Sequence, residues 1–357
     1  MDMSFRWYGE DDAVKLEDIR QIPFMKGIVT AIYNIPPGDV WPVEKVNELK
    51  KRIEAHGLTL NVIESVPVHE DIKLGLPSRE HYIANYQATL RNLSKAGVKT
   101  VCYNFMPVFD WTRTAMEAPF PDGSHSLAFD QEAADVIDPL SGCLTLPGWD
   151  LSYQTDQLSE LIVQFKRLTE NDLMNNLIYF LEQVVPVAEE EDIKLALHPD
   201  DPPWSVFGLP RVVTNETNVA KLLRAVDSQA NGLTFCTGSY GANPENNLIS
   251  MIEMAKGRIH FVHARNVKWT GPKSFQETSH SIHDGSLLLI EVMEKLIETG
   301  YNGPIRPDHG RMIWGESGRP GYGLYDRALG ASYLNGIIDT VKSRMKEGDQ
   351  HAASISY

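Results

Sequence analysis

The sequence of 357 residues has little cysteine, no long apolar run and no excess of basic residues. Cysteine occurs only at Cys102, Cys143 and Cys236, and an odd number in a chain of this length argues against a disulfide framework and favours a reducing compartment. No apolar run is long enough to span a bilayer, and the N-terminal segment MDMSFRWYGEDD shows neither a basic leader nor an apolar stretch. These absences predict a cytoplasmic protein that does not bind a membrane.

The charge balance is acidic, with 48 Asp and Glu residues against 33 Lys and Arg residues and a formal net charge of -15. Binding to a nucleic-acid backbone requires clustered Lys and Arg, so the sequence argues against a nucleic-acid partner. A small-molecule substrate that is itself anionic would have to be held locally, by a metal ion or by arginine side chains.

Short β-prone runs alternate with amphipathic helical segments along almost the whole chain, which is typical of βα units around a parallel sheet. Clear strands are predicted in 27–33, 58–65, 98–105, 193–198, 232–236, 258–265 and 303–309, and a further one, with a weaker pattern, in 275–285. Helices follow the first two strands, and Gly57 and Gly97 stand where a helix C-terminus favours glycine. Eight such units predict an α/β fold, a (β/α)8 TIM barrel.

The length and the 42% hydrophobic content allow one large core, so we predict one barrel domain over 1–341 and a disordered tail over 342–357. The connection 106–157, after the third predicted strand, is far longer than an ordinary βα connection. It contains several aromatic residues and Arg113, and we predict that it forms a lid over the barrel mouth, with a packing insert as the alternative. Such segments also build subunit contacts, and we expect a homo-oligomer, a dimer.

Four potential metal ligands each stand at the C-terminal end of a β-prone run: His198, Cys236, His263 and Asp308. A parallel barrel collects these strand ends on one face, which is where active sites lie. One such residue alone is more often packed or hydrogen-bonded, but four in close succession predict a metal centre. Two imidazoles, a thiolate and a carboxylate suit a divalent cation.

The other two cysteines are not assigned to this centre. Cys102 lies inside an apolar strand and is predicted to be core, and Cys143 lies in the insertion without an evident partner. Nitrogen and sulfur ligands suit zinc or iron, whereas a substrate with several hydroxyls favours a metal that accepts five or six ligands. We therefore predict Mn²⁺ or Fe²⁺.

Several longer motifs surround these positions, among them RWYGEDD, ESVPVHEDIK, CYNFMPVFDWTRT, HPDDPP, CTGSYG, RPDHG and PGYG. In these motifs, and over nearly the whole chain to about residue 340, the sequence resembles the mannonate dehydratase family of the xylose-isomerase-like barrels. The resemblance implies a metal-dependent hydro-lyase that converts D-mannonate to 2-dehydro-3-deoxy-D-gluconate and water in hexuronate (glucuronate) catabolism. It also implies that the four ligands named above hold the metal. The sequence departs from the family in HARNVKWTGPKSF and RMIWGESGR, which bears only on the shape of the substrate pocket.

Dehydration of a sugar acid requires a base for the C2 proton, an acid for the departing 3-hydroxyl and a sink for charge on the carboxylate. His309, next to Asp308, and Tyr322, between two glycines, are our candidates for proton transfer. The alternatives are a hydrogen bond from His309 to Asp308 and simple packing of Tyr322. Arg306 shares strand parity with Asp308 and is a candidate clamp for the substrate carboxylate, with a structural ion pair as its alternative.

Other functions remain open at this stage. A metal-dependent sugar isomerase or epimerase on the same barrel usually uses carboxylate-rich ligands, so Cys236 favours the dehydratase. An apurinic-site endonuclease needs a basic docking face, which the net charge opposes. A non-catalytic barrel with a structural metal would close the coordination sphere with four protein ligands.

Overall fold

The computed structural model describes residues 1–139 and 155–355, with side chains for 1–139 and 157–345. The strands are β1 (Asp2–Arg6), β2 (Gly27–Thr30), β3 (Thr59–Glu64), β4 (Thr100–Tyr103), β5 (Ala115–Pro119), β6 (His125–Phe129), β7 (Lys194–Leu197), β8 (Asn231–Cys236), β9 (Ile259–Ala264), β10 (Val267–Gly271), β11 (Ser274–Glu277) and β12 (Pro304–Pro307). The helices are α1 (Leu16–Ile19), α2 (Val43–Ala55), α3 (Glu70–Leu74), α4 (Arg79–Lys95), α5 (Gln131–Asp135), α6 (Thr155–Phe165), α7 (Glu170–Glu190), α8 (Glu216–Ala225), α9 (Thr237–Gly241), α10 (Leu248–Met254), α11 (Leu289–Glu298) and α12 (Tyr325–Ile355).

Eight of the strands form a closed barrel in the order β1, β12, β9, β8, β7, β4, β3, β2, and neighbouring strands are parallel. The TIM barrel that the sequence predicts is confirmed. Gly57 and Gly97 follow α2 and α4 with φ of 73° and 81°, the left-handed conformation that ends a helix. Among the described residues, no helix is both long and apolar enough to cross a membrane.

Two strand assignments from the sequence need correction. The first barrel strand is β1, which the sequence analysis missed because DMSFR is short, carries charged residues and has no preceding βα unit. The strand predicted within 275–285 overlaps β11, which pairs antiparallel with β10 and β6 outside the barrel. The insertion therefore follows the third strand predicted from the sequence, which is the fourth strand of the barrel, β4.

The barrel interior follows from the two-residue period of a strand. One layer of interior side chains forms a buried cluster separate from the main core: Val29, Val62, Cys102, Ala196 and Phe261. Two positions further along four of these strands stand Glu64, Asn104, His198 and His263. Polar side chains thus occupy the interior positions at the C-terminal mouth, directly above an apolar layer.

The described part of the insertion builds a second sheet. Strands β5 and β6 form a hairpin, and β6 pairs with β11, so the sheet has the antiparallel order β10, β11, β6, β5. Phe129 of β6 stacks on Phe275 of β11, with ring centroids 6.0 Å apart, and both rings contact Trp204. This apolar contact fixes the end of β11 beside the barrel mouth.

Part of the predicted insertion, including Cys143, lies outside the described residues. At the C-terminus, α12 runs to Ile355 and so covers most of the segment 342–357 for which the sequence predicts a disordered tail.

Candidate active site

The four candidate ligands meet because of strand register at the C-terminal ends of β7, β8, β9 and β12. Cys236, the last residue of β8, pairs in register with His263 of β9. His198 and Asp308 each come directly after the last residue of their strands, β7 and β12. These four side chains come from neighbouring strands of one barrel, so their ligand atoms converge at one point of the mouth.

The distances between these atoms suit a shared cation. Ligand atoms of His198, Cys236 and His263 all lie within 4.8 Å of one another. Nε2 of His198 is 3.1 Å from Nδ1 of His263. The carboxylate of Asp308 is close to both neighbours, with Oδ1 3.7 Å from that Nδ1 and Oδ2 3.5 Å from Sγ of Cys236. The structure thus brings the four predicted residues together.

A hydrogen bond on the far side of one imidazole and a carboxylate beside the other indicate what the two rings could hold between them. Nδ1 of His198 donates to the carbonyl oxygen of Pro199 at 2.7 Å, which leaves Nε2 without a proton. Nε2 of His263 faces Oε2 of Glu64 at 3.4 Å, and this carboxylate favours the proton on Nε2. Two nitrogen lone pairs therefore face each other, and a cation between them would remove their repulsion. The residues present fit a metal ion.

Cys236 is placed to act as a thiolate. It is fully buried and caps α9, where Sγ accepts hydrogen bonds from Oγ of Ser239 at 3.0 Å and from the Ser239 backbone N–H at 3.4 Å. These donors stabilise negative charge on sulfur. Gly238 in the same turn lets Arg265 approach, because a Cβ at this position would lie 2.4 Å from the Nε atom of Arg265.

Asp308 lies between two arginines, with Nη1 of Arg306 and Nε of Arg265 each 2.8 Å from a carboxylate oxygen. Burial opposes ionisation of Asp308, but the charges of Arg306 and Arg265 outweigh it and hold the pKa of this carboxyl well below its usual range. The group therefore carries the negative charge that a metal ligand needs.

A second group of side chains that could hold a metal ion, Glu64, Cys102 and His263, shares one residue with the first. Cys102 belongs to the apolar layer of the barrel, and burial, followed by the charge of Glu64, raises the pKa of its thiol well above the ordinary value. A neutral thiol is a poor ligand, so the first group is the better site. The prediction that Cys102 is a core residue is confirmed.

His309 and Tyr322, the two candidates for proton transfer, are in direct contact. Nε2 of His309 lies 2.8 Å from the Tyr322 hydroxyl, and Nδ1 lies 2.9 Å from both carboxylate oxygens of Glu277. The sequence suggested Asp308 as an alternative partner of His309, but Oδ1 of that residue is 3.8 Å from Nε2. Gly321 allows the turn that brings Tyr322 back, with φ of 79°.

Comparison with known proteins identifies the family of this chain. A family model described as D-mannonate dehydratase (UxuA) matches residues 1–348 of the chain. The chain belongs to the D-mannonate dehydratase family. It is 56% identical over 345 residues to mannonate dehydratase 2 of Halalkalibacterium halodurans, covering 96% of this chain and 100% of that protein. The resemblance inferred from the motifs is confirmed.

Solved structures agree with this assignment. The crystal structure of mannonate dehydratase from Streptococcus suis serotype 2 matches with a TM-score of 0.91 at 46% identity, covering 97% of this chain and 96% of that chain. A xylose isomerase-like TIM barrel protein from Mycobacterium smegmatis matches with a TM-score of 0.56 at 14% identity, covering 91% of this chain and 87% of that chain. The second likeness shows the barrel fold alone.

In this member of the dehydratase family, a buried ion-pair network surrounds the ligands, and sequence reasoning missed most of it. Arg113 contacts Asp201 at 2.9 Å and Glu277 at 2.6 Å, and Arg265 contacts the same two carboxylates at 2.7 Å. All four side chains are at most 3% exposed. Arg265 lies two residues after His263, so the sequence indicates that both side chains point to the same side of the strand. Nothing in the sequence near Glu277 indicates its position.

Arg306 forms a structural ion pair, which the sequence analysis gave as the alternative to a clamp for the substrate carboxylate. Its Nη2 donates to Oε1 of Glu64 at 3.0 Å, and the side chain is 2% exposed. Arg6 of β1 approaches Oε2 of the same carboxylate at 3.3 Å, so two arginines neutralise Glu64. Burial opposes ionisation of Glu64, but these arginines lower its pKa well below the ordinary value.

The residues following His198 have structural contacts. Asp200 accepts hydrogen bonds from the backbone N–H groups of Val212 and Val213, each at 2.7 Å. Asp201 pairs with the two arginines of the buried network. The His198 imidazole is oriented by a backbone carbonyl, that of Pro199.

Proposed function

We propose that the chain catalyses the dehydration of D-mannonate to 2-dehydro-3-deoxy-D-gluconate, a hydro-lyase reaction. The observation that carries the proposal is the position of the His309–Tyr322 pair beside the converged ligand atoms, with Nε2 of His309 only 3.8 Å from Oδ1 of Asp308. A site that could hold a Lewis acid therefore lies next to a group that could transfer protons. Family membership then identifies the substrate.

The reaction breaks the C2–H and C3–O bonds of the sugar acid and forms a C2–C3 double bond. The proton from C2 and the hydroxyl from C3 together make the released water, so no external acid or base is consumed. The enol product then tautomerises to the 2-keto-3-deoxy acid. The protein must move one proton and stabilise charge that develops on the substrate carboxylate.

The His309–Tyr322 pair is suited to move that proton. Because Nδ1–H of His309 donates to Glu277, Nε2 is the imidazole atom that exchanges protons, and the Tyr322 hydroxyl donates to it at rest. Burial, followed by the neighbouring Tyr8, raises the pKa of Tyr322 well above the ordinary value, so its phenol stays protonated. The pair takes the C2 proton and returns one to the departing hydroxyl.

The ligands would be His198, Cys236, His263 and Asp308, and we infer Mn²⁺ or Fe²⁺ as the metal. A divalent ion bound by them would supply Lewis-acid stabilisation of substrate oxygens. With the ion bound, the buried carboxylate of Asp308 and a deprotonated Cys236 would provide two negative charges, which suit a divalent cation. The carbonyl oxygen of Pro199 and the carboxylate of Glu64 orient the two imidazoles towards the site.

Two further assignments from the sequence stay proposals. Nε of Arg306 is buried and has no hydrogen-bond partner within the described part of the chain, so a donor remains for the substrate carboxylate. The ring of Trp111, in the insertion, lies 5.4 Å from the ring of His309, which supports a covering role for this segment. The homo-oligomeric, dimeric state and the cytoplasmic location also stay predictions.

The direct test is incubation of the metal-reconstituted protein with D-mannonate and chemical detection of a 2-keto-3-deoxy acid. The account expects this product in a metal-dependent yield. An epimer of the substrate as the product would instead indicate the alternative function, a metal-dependent isomerase or epimerase.

A further inference from the structure

We propose that Glu277 is a positioning residue that keeps the proton of His309 on Nδ1 and so presents Nε2 to Tyr322. The catalytic role in this inference rests on the proposed function, whereas the contacts between the residues do not depend on it. Glu277 comes from the second sheet rather than from a barrel strand.

Glu277 restrains the imidazole through both of its carboxylate oxygens. Oε1 and Oε2 each lie 2.9 Å from Nδ1 of His309, while Tyr322 contacts the opposite edge of the ring at 2.8 Å. Glu277 is 1% exposed, so water does not compete for these contacts. A carboxylate is an acceptor only, and it therefore selects the tautomer with hydrogen on Nδ1.

Two arginines hold Glu277 in this position. Nη1 of Arg265 lies 2.7 Å from Oε1, and Nε and Nη2 of Arg113 lie 2.9 Å and 2.6 Å from the same oxygen. Arg265 follows β9 of the barrel, whereas Arg113 belongs to the insertion. The insertion thus fixes the carboxylate from one side and the barrel fixes it from the other.

The second sheet completes the support. Phe275, two residues before Glu277, pairs in register with Phe129 of the insertion, and Oγ of Ser126 donates to the carbonyl oxygen of Glu277 at 2.6 Å. The insertion therefore has a function beyond covering the mouth, because it locates the acceptor that orients His309.

Asp201 provides a matched comparison within the same network. It contacts the same two arginines, and both residues are buried, but the hydrogen bonds of its carboxylate go to the arginines and not to His309. Loss of either carboxylate removes one negative charge from the network. Only loss of Glu277 removes the acceptor from Nδ1.

The experiment compares Glu277→Gln with Asp201→Asn in protein loaded with Zn²⁺, which is diamagnetic. The ring ¹⁵N resonances of His309, assigned by comparison with His309→Asn, report which nitrogen carries the proton. We expect Nδ1–H in the wild type and in Asp201→Asn, and loss of this signature in Glu277→Gln, because the arginine donors retain the amide oxygen of the glutamine and leave its NH₂ group, a donor, facing Nδ1. With Mn²⁺ and D-mannonate, kcat of Glu277→Gln should fall by about 10²-fold with a much smaller change in KM, an effect of the size of lost acid–base help.

Two results would overturn the proposal. One is a wild-type protein with the proton on Nε2, a measurement that does not use Glu277→Gln and so survives any failure of that variant to fold. The other is an unchanged tautomer in Glu277→Gln together with a loss of kcat equal to that of Asp201→Asn. Because the tautomer is read without substrate, a wild type that shows Nδ1–H but does not dehydrate D-mannonate would refute the proposed function alone.

Discussion

Nε2 of His309 and the hydroxyl oxygen of Tyr322 lie 2.8 Å apart, at 4% and 6% exposure. These two residues are thirteen positions apart in the chain and lie near opposite ends of the one connection between β12 and α12. Their contact joins two candidates that the sequence could only propose independently. This hydrogen bond is the basis on which we propose that they act on the substrate as one unit.

The first prediction concerns this pair. His309→Asn and Tyr322→Phe should each lower kcat by ~10²–10⁴-fold, and the double variant should lose little more than the worse single variant, because groups that act as a unit are not additive. Bound metal and the unfolding transition should stay close to those of the wild type. Near-normal kcat in both single variants, measured across pH, would move proton transfer to other residues.

The sequence alone was sufficient to predict the candidate site residues that stand at strand ends. His198, Cys236, His263 and Asp308 follow from the two-residue strand period and from the single face on which a parallel barrel collects its strand ends. Glu277 did not follow, because its position depends on antiparallel pairing of β11 with a hairpin more than a hundred residues away in the chain. Such long-range pairing has no local signal.

The first barrel strand illustrates the same limit. The segment of β1 is short and contains Asp2 and Arg6, so it lacks the apolar run of the other strands. Its assignment requires the closure of the barrel between β2 and β12, which is a tertiary property. Arg6, one of the two arginines that neutralise Glu64, was missed together with its strand.

The second prediction concerns the thiolate ligand. Cys236→Ser should reduce bound metal and activity together, because a serine hydroxyl is not ionised at neutral pH and is a weaker ligand. Cys102→Ala is the matched control, since this buried cysteine lies in the apolar layer of the barrel and should be dispensable for metal binding. Metal content should be measured by elemental analysis after dialysis. Wild-type metal content in Cys236→Ser would remove this residue from the ligand set.

The third prediction concerns stability in acid. Burial opposes ionisation of Glu277, but His309, Arg265 and Arg113 lower its pKa from 4.5 to about 2. A carboxyl whose pKa is depressed in the folded state stabilises the fold fully above its unfolded pKa and loses that contribution as pH falls through the folded value. The free energy of unfolding of the wild type should therefore approach that of Glu277→Gln as pH falls from 4.5 towards 2. A constant difference between the two proteins over this range would contradict the assignment.

The fourth prediction concerns the described part of the insertion, 106–139. Trp111 lies against His309, and Arg113 is anchored in the buried network, so this segment should gain protection from hydrogen exchange when a non-reactive aldonate binds. Exchange should be followed by mass spectrometry at two protein concentrations. Identical exchange with and without the ligand would indicate scaffold, and protection that follows protein concentration would indicate a subunit contact.

The most direct measurement of the central claim is the product formed from D-mannonate by the metal-reconstituted protein. The account predicts a 2-keto-3-deoxy acid whose formation requires the divalent ion and disappears in Tyr322→Phe and Cys236→Ser. The absence of this product from folded, metal-loaded wild-type protein, or the formation of an epimerised or isomerised sugar acid in its place, would contradict it.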